Sequence, residues 1–408
     1  MAKIRILIIE DSVVMRKLLS DAIALETDME IVGSAANGSI GLQRVAQIQP
    51  DIVTLDVEMP VMDGLSTVKI LRRSHPHLPV IMFSRLTRRG AETTLEALAS
   101  GATDYVAKPE SLGGVQETIR FLRENLSPKI RIHCGKGGSG PVNRQATNAP
   151  TDRSPEKSQT DTSPVIRRIS PFQRPQSTPR PFSALAEASL RERQGNTSFI
   201  RREGQPSRKP APVEIVCIGS STGGPNALAE LFEAMPANFP VPIVVVQHMP
   251  PHFTALLAER LNSSTRTRFF EGTEGMKIEP GVGYIAPGGF HMVVKRSSNG
   301  TVLSLNEQPP VNACRPAVDV LFKSVAECYG DGTLGVILTG MGHDGTRGAQ
   351  IIKQSEGQII AQDEESSVVW GMPGSAVQAG FTDVVLPLKL IAGELTLRTN
   401  RSKSLATS

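Results

Sequence analysis

The stretch Ile4-Arg5-Ile6-Leu7-Ile8-Ile9 ends at Glu10-Asp11 and passes into Val13–Leu25, where apolar residues recur at helical spacing. A short, almost continuously apolar run that stops at acids and turns into a helix predicts the first β-α unit of a parallel sheet. The pattern repeats. Strand-like runs at Glu30–Ser34, Ile52–Leu55, Val80–Phe83 and Tyr105–Ala107 alternate with helical stretches such as Leu65–Arg73 and Ala91–Ser100. Beyond residue 212 the alternation resumes, with Ile215–Ile218, a helix from Asn226, Ile243–Val246, a helix from Phe253, and Gly335–Leu338. Strands covered on both faces and separated by helices predict an α/β fold of two doubly wound parallel-sheet domains.

The segment between them is of another kind. Residues 128–212 carry 16 Lys and Arg against 6 Asp and Glu, and include Pro- and Gly-rich stretches at 135–140 and 170–181. Such a composition buries too little apolar surface to offset chain entropy, so a disordered, basic Pro/Ser/Arg-rich linker is expected at 128–212. Within it, Ala184–Arg193 has the pattern of a transient helix or docking motif. The expected division is therefore 1–127, 128–212, 213–395 and a flexible tail at 396–408. The chain's net charge of +4 belongs to the linker, because residues 213–408 carry 14 basic against 18 acidic residues. A nucleic-acid-binding output domain is disfavoured on that ground, and the 4% aromatic content disfavours a base- or sugar-stacking protein. No apolar run approaches the roughly 20 residues of a membrane span. Cys134, Cys217, Cys314 and Cys328 follow no metal-ligand spacing, which predicts incidental reduced thiols in a cytoplasmic, monomeric protein.

In doubly wound sheets, functional groups collect at the carboxyl ends of strands. Glu10 and Asp11 follow the first strand, Asp56 ends the third, and Lys108 follows the fifth, just before Pro109. Clustered hard oxygens suit Mg²⁺, a lysine opposite them suits a phosphoryl group, and an aspartate can itself accept one. Any one of these acids alone is more simply a solvated loop residue. Together with Val57–Gly64 (Val-Glu-Met-Pro-Val-Met-Asp-Gly) and Ser84, they resemble the receiver domain of response regulators over residues 3–127. The resemblance implies that Asp56 accepts the phosphoryl group and that Glu10 and Asp11 join it in holding Mg²⁺. It also implies that Lys108 contacts the phosphate, that Ser84 senses it and that Tyr105 is the switching aromatic. Arg85 departs from the small residue common after that serine.

The second domain opens with Glu214–Ile218, followed by Gly219-Ser220-Ser221-Thr222-Gly223-Gly224-Pro225 and a helix. This contains G-x-S-x-G in a strand-turn-helix setting, with backbone N–H groups at the helix start facing a developing anion. A glycine-rich turn of this kind also suits a phosphate, so the motif alone leaves both readings open. The histidine and aspartate weigh toward nucleophilic chemistry. His248 follows Ile243–Val246 and Asp344 follows Gly335–Leu338, so serine, base and orienting acid all lie past strand ends. His343 and His252 are rival bases, and His291 falls in an expected turn region; a lone strand-end histidine is more often structural. The order Ser-His-Asp differs from the Ser-Asp-His order of α/β-hydrolases.

Residues 213–392 resemble instead the catalytic domain of the chemotaxis methylesterase family. The carriers are Gly219–Gly224, Gln247–Pro251, Tyr284–Gly288, Pro316–Phe322, Leu338–Gly345 and Gly371–Pro373. The resemblance implies Ser221 as nucleophile, His248 as general base then acid, and Asp344 as the carboxylate that orients it. It further implies hydrolysis of glutamate γ-methyl esters and deamidation of glutamines on methyl-accepting chemoreceptors, with no cofactor for hydrolysis. A chemotaxis histidine kinase would be the phosphodonor, and neither nucleic acid nor membrane insertion would be involved. A regulator whose second domain binds a partner without catalysis is the competing reading, and loss of ester hydrolysis on Ser221→Ala separates the two.

Overall fold

A computed structural model describes residues 2–109, 114–135 and 211–406; the segment expected as linker falls, from residue 136 to 210, outside the described residues, and Ala184–Arg193 with it. The first domain is a five-stranded parallel sheet of order β2-β1-β3-β4-β5. Its strands are β1 (Ile4–Ile9), β2 (Met29–Ala35), β3 (Ile52–Asp56), β4 (Val80–Ser84) and β5 (Asp104–Ala107). Helices α1 (Val13–Ala24), α2 (Gly38–Ile48), α3 (Gly64–Ser74), α4 (Arg88–Ala99) and α5 (Val115–Asn125) connect and flank them. Local chemistry sets the helix starts. Ser12, Asn37, Asp63 and Thr87 each accept a backbone N–H of the first turn through the side chain. A further helix, α6 (Ser127–His133), occupies the start of the expected linker. Pro128 lies in its first turn, where no backbone donor is needed, and Ile130 is fully buried.

The second domain is a seven-stranded, wholly parallel sheet of order β14-β13-β12-β6-β7-β9-β8, with an antiparallel hairpin beside it. Its strands are β6 (Ile215–Ser220), β7 (Ile243–Gln247), β8 (Arg268–Glu271), β9 (Val282–Ile285), β12 (Thr333–Ile337), β13 (Gln358–Gln362) and β14 (Val384–Leu386). The hairpin is β10 (His291–Ser297) with β11 (Gly300–Asn306). His291, expected in a turn, thus begins a strand and is buried. The helices are α7 (Gly224–Glu233), α8 (Phe253–Ser264), α9 (Val318–Tyr329), α10 (Thr346–Gln354), α11 (Gly371–Gln378) and α12 (Leu388–Ala406). Helix α12 runs through most of the stretch expected as a flexible tail. Leu395 and Thr399 are fully buried along it, so packing holds the helix even though Leu390 and Leu397 face outward. Strands β6, β7 and β12 are neighbours, with Ser220 beside Gln247 and Gly219 beside Ile337. That adjacency brings the ends carrying Ser221, His248 and Asp344 to one crevice.

The two domains pack on each other. Leu95 and Leu98 of α4 belong to one continuous buried apolar cluster with Leu256 and Leu257 of α8. No helix among the described residues is long and apolar enough to cross a membrane.

Candidate active site and phosphorylation site

At the carboxyl end of the first sheet, Glu10, Asp11 and Asp56 bring carboxylate oxygens within 4.8 Å of one another. Lys108 reaches in from the end of β5, its Nζ 2.8 Å from Asp56 Oδ2 and 2.9 Å from Glu10 Oε2. Glu10, Asp56 and Lys108 are buried, while Asp11 is exposed. Burial, reinforced by the Asp56 charge and only partly offset by Lys108, pushes the Glu10 carboxyl up to about 7. One lysine does not neutralise this cluster, and hard oxygen donors with surplus negative charge fit a Mg²⁺ ion. Ser84, fully buried at the end of β4, donates its hydroxyl to Gly90 O at 3.1 Å. That bond ties the strand end to the first turn of α4.

In the second sheet, Ser221 follows β6 directly. Its N–H donates to Thr339 O at 3.0 Å, and its carbonyl accepts from Gly224 N at 2.8 Å and Gln247 Nε2 at 2.9 Å. Gln247 is itself clamped, accepting Ser220 Oγ at 2.7 Å. Two glycines, one in the turn and one past β12, leave room for this packing. A Cβ on Gly224 would overlap Gln247 Oε1, and one on Gly340 would come within 2.9 Å of Ser221 Cβ. Helix α7 starts immediately afterwards, and no described hydrogen bond engages the amides of Thr222 and Gly223. Two free N–H groups beside Ser221 are what an oxyanion needs.

His248 sits at the end of β7 with its Nε2 2.8 Å from Asp344 Oδ2; their side chains are only 11% and 3% exposed. Burial alone would lower the imidazolium pKa, but hydrogen bonds to Asp344 and to Cys314 outweigh it and carry it up to about 9. Desolvation likewise opposes the Asp344 charge, yet His248 and the backbone N–H groups of Val318 and Asp319 hold its carboxyl below the usual range. The structure therefore brings His248 and Asp344 into contact and places Ser221 on the same crevice; no described hydrogen bond joins Ser221 Oγ to the imidazole. Among the rival bases, His343 and His252 are exposed and make no described side-chain hydrogen bond, while His291 Nε2 lies 3.2 Å from Pro309 O.

Cys314 is the unexpected member. Read from the sequence as an incidental thiol, it lies with Sγ 3.6 Å from His248 Nδ1. Asn312 and Gln247 also carry no warning in their residue types, and only Gln247, adjacent to His248 in sequence, stands where a strand-end reading would look. A cleft of about 580 Å³ contains Ser221, His248, Asn312 and Cys314, and its opposite wall is the first domain's Asp104, Tyr105 and Lys129. The Tyr105 ring stacks on Phe253 at 5.1 Å, and Lys129 Nζ lies 2.6 Å from Asp104 and 3.4 Å from Thr222 Oγ1, one residue from Ser221.

A receiver-type sheet with its acid cluster, joined to a parallel sheet carrying serine, histidine and aspartate at adjoining strand ends, defines a response regulator with a hydrolase output. Comparison with known proteins narrows this. Residues 6–120 match the response regulator receiver domain family and residues 216–395 the CheB methylesterase family. A protein-glutamate methylesterase/protein-glutamine glutaminase of Trichodesmium erythraeum is 40% identical, over 98% of this chain and 99% of its own. Its namesake in Nocardioides is 39% identical over 99% and 97%. The crystal structure of the Thermotoga maritima CheB methylesterase catalytic domain is 46% identical, covering 46% of this chain and 98% of that one, with a TM-score of 0.45. The chain belongs to the CheB family of protein-glutamate methylesterases/protein-glutamine glutaminases.

Proposed function

We propose that Ser221, His248 and Asp344 hydrolyse glutamate γ-methyl esters and deamidate glutamines on methyl-accepting chemoreceptors, under control of phosphorylation at Asp56. The observation that carries the reading is the 2.8 Å contact of His248 Nε2 with Asp344. With Nε2–H donated to the carboxylate, Nδ1 is the basic nitrogen, on the side of the ring where Cys314 Sγ lies 3.6 Å away. Ser221 Oγ attacks the side-chain carbonyl carbon while its proton passes to Nδ1, and the Thr222 and Gly223 amides receive the oxyanion. The bond to methoxide or amide then breaks, and the leaving group takes the proton from His248 as methanol or ammonia. Water repeats the sequence on the acyl-enzyme: its proton goes to His248, the acyl–Oγ bond breaks, and Ser221 Oγ recovers a proton. An ester and an amide thus share one site.

The pH dependence follows from the base. Only neutral His248 accepts the serine proton, and its imidazolium is stabilised up to about 9. The kcat/KM for methanol release from methylated receptor membranes is therefore expected to rise about tenfold per pH unit below that value and to level off above it. A profile flat between pH 7 and 9 contradicts this assignment.

Glu10, Asp11 and Asp56 would hold Mg²⁺, which when bound supplies charge to offset the phosphoryl oxygens. In the phosphorylation step an Asp56 oxygen attacks phosphorus as the bond from phosphorus to the donor breaks, to an imidazole nitrogen of a kinase histidine or to an oxygen of acetyl phosphate, and Lys108 compensates the added charge. A chemotaxis histidine kinase is the donor in the cell, and acetyl phosphate substitutes for it in the test. Labelling by radioactive acetyl phosphate is expected to require Mg²⁺ and to vanish in Asp56→Asn. Undiminished labelling of that variant puts the acceptor elsewhere.

A further inference from the structure

The Asp344 carboxylate accepts five hydrogen bonds. Oδ2 receives His248 Nε2 at 2.8 Å and Val318 N at 2.7 Å. Oδ1 receives Asn312 Nδ2 at 2.8 Å, Asp319 N at 3.0 Å and Gly345 N at 3.0 Å. Three of these donors are backbone amides fixed by the start of α9 and by the loop before α10. Among the described residues only one side chain besides the histidine takes part, and it is Asn312. The other hydrogen of the same amide goes to Asp319 Oδ2 at 2.9 Å. Asp319 is itself held by Gly345 N at 2.9 Å and Gly348 N at 2.7 Å through Oδ1. The amide therefore bridges two neighbouring carboxylates, and Asp319 dictates which way it points. The backbone is committed to this placement: Asn312 and Ala313 have φ of 53° and 60°, and Val311 and Cys314 exchange hydrogen bonds across them.

We propose that Asn312, oriented by Asp319, is a positioning residue of the hydrolytic site: it holds Asp344 against His248 and tempers the negative charge that the imidazole meets. This rests on reading His248 and Asp344 as the base and its orienting acid. The titratable groups around the imidazole are Asp344 and Cys314, with Asp319 behind Asp344. His343, beside Asp344 in sequence, is exposed, and across the cleft Asp104 and Lys129 are paired with each other. A hydrogen bond from a neutral amide to a buried carboxylate spreads that charge. Without it, Asp344 favours imidazolium more strongly, and the base form is reached only at higher pH.

The test uses the full chain, phosphorylated with acetyl phosphate, and methanol release from methylated receptor membranes. In Asn312→Ala, kcat is expected to fall roughly tenfold at pH 7 with KM within about twofold, because the acid limb of the pH profile moves up by about one pH unit. Above that limb the variant and the parent should converge, which a merely disordered site would not do. Asn312→Gly, which suits a left-handed backbone, should behave the same way if the amide rather than the loop is responsible. An acid limb unmoved in both variants overturns the proposal, whatever their rates. Wild-type activity in both does so too; if His248→Ala is also fully active, the underlying base assignment falls with it.

Discussion

Alanine at Ser221 or at His248 is expected to lower methanol release by at least ~10³-fold, because the serine hydroxyl is a weak nucleophile without a base and the base has nothing to activate without the serine. The two losses should not multiply in the double variant, since both disable one step. Asp344→Asn should cost somewhat less. The five donors that converge on the carboxylate oxygens include His248 Nε2, and an amide there would turn a donor toward some of them. His343→Ala should be mild, as that exposed ring makes no described side-chain contact. Retained acetyl phosphate labelling in each variant would show that the receiver is intact and that the lesion is local. A fully active His248→Ala would mean that another group takes the proton. Cys314, at 3.6 Å from Nδ1, gives this experiment a second use. Cys314→Ala removes the one side chain among the described residues that is within hydrogen-bond reach of that nitrogen.

Much of this site could be read from the sequence because parallel strands in doubly wound sheets are buried on both faces. Ile4–Ile9 and Ile243–Gln247 are nearly unbroken apolar runs, so their ends, and the polar residues just past them, stand out. Ser221, His248, Asp344, Asp56 and Lys108 are all of that kind. The short strands β8 and β14 and the hairpin β10–β11 gave no such signal, since several of their residues are exposed or half-buried, and β9, though buried throughout, is only four residues long with a glycine inside it. Pro128 reads as the start of a linker, yet a proline is at home in a helix's first turn, and α6 uses it there. Asn312 and Cys314 escaped for a different reason. They sit in a loop more than sixty residues from His248, and only the packing of α9 against the sheet brings them to it. A thiol or an amide in a loop has no periodicity to betray it.

The receiver is expected to restrain the hydrolase until Asp56 is phosphorylated, and the contacts say which side chain to remove. Tyr105 lies on the first domain's last strand and stacks on Phe253, the first residue of α8, with the rings 12° from parallel. Arg88 of α4 pairs with Glu259 of α8, and Asn226 Nδ2 donates to Leu98 O. Lys129 reaches Thr222, the neighbour of Ser221. The Arg88–Glu259 pair is exposed and contributes little. The aromatic stack and the apolar cluster of α4 with α8 bury apolar surface, which contributes more than an exposed ion pair. A phosphoryl group on Asp56 would offer oxygens to Lys108 and to Ser84, drawing the Ser84 hydroxyl away from Gly90 and loosening the turn that begins α4. Coupling of ~1–3 kcal/mol is typical of such switches, which corresponds to a release of about 5- to 150-fold. Tyr105→Ala should therefore raise the unphosphorylated rate about tenfold toward that of the acetyl phosphate-treated parent, while Arg88→Ala changes it less than twofold. Fragment 213–408 should match the phosphorylated chain and ignore acetyl phosphate. Equal basal rates for the parent, Tyr105→Ala and the fragment would exclude restraint by contact; activation by phosphate would then have to act through receptor docking instead.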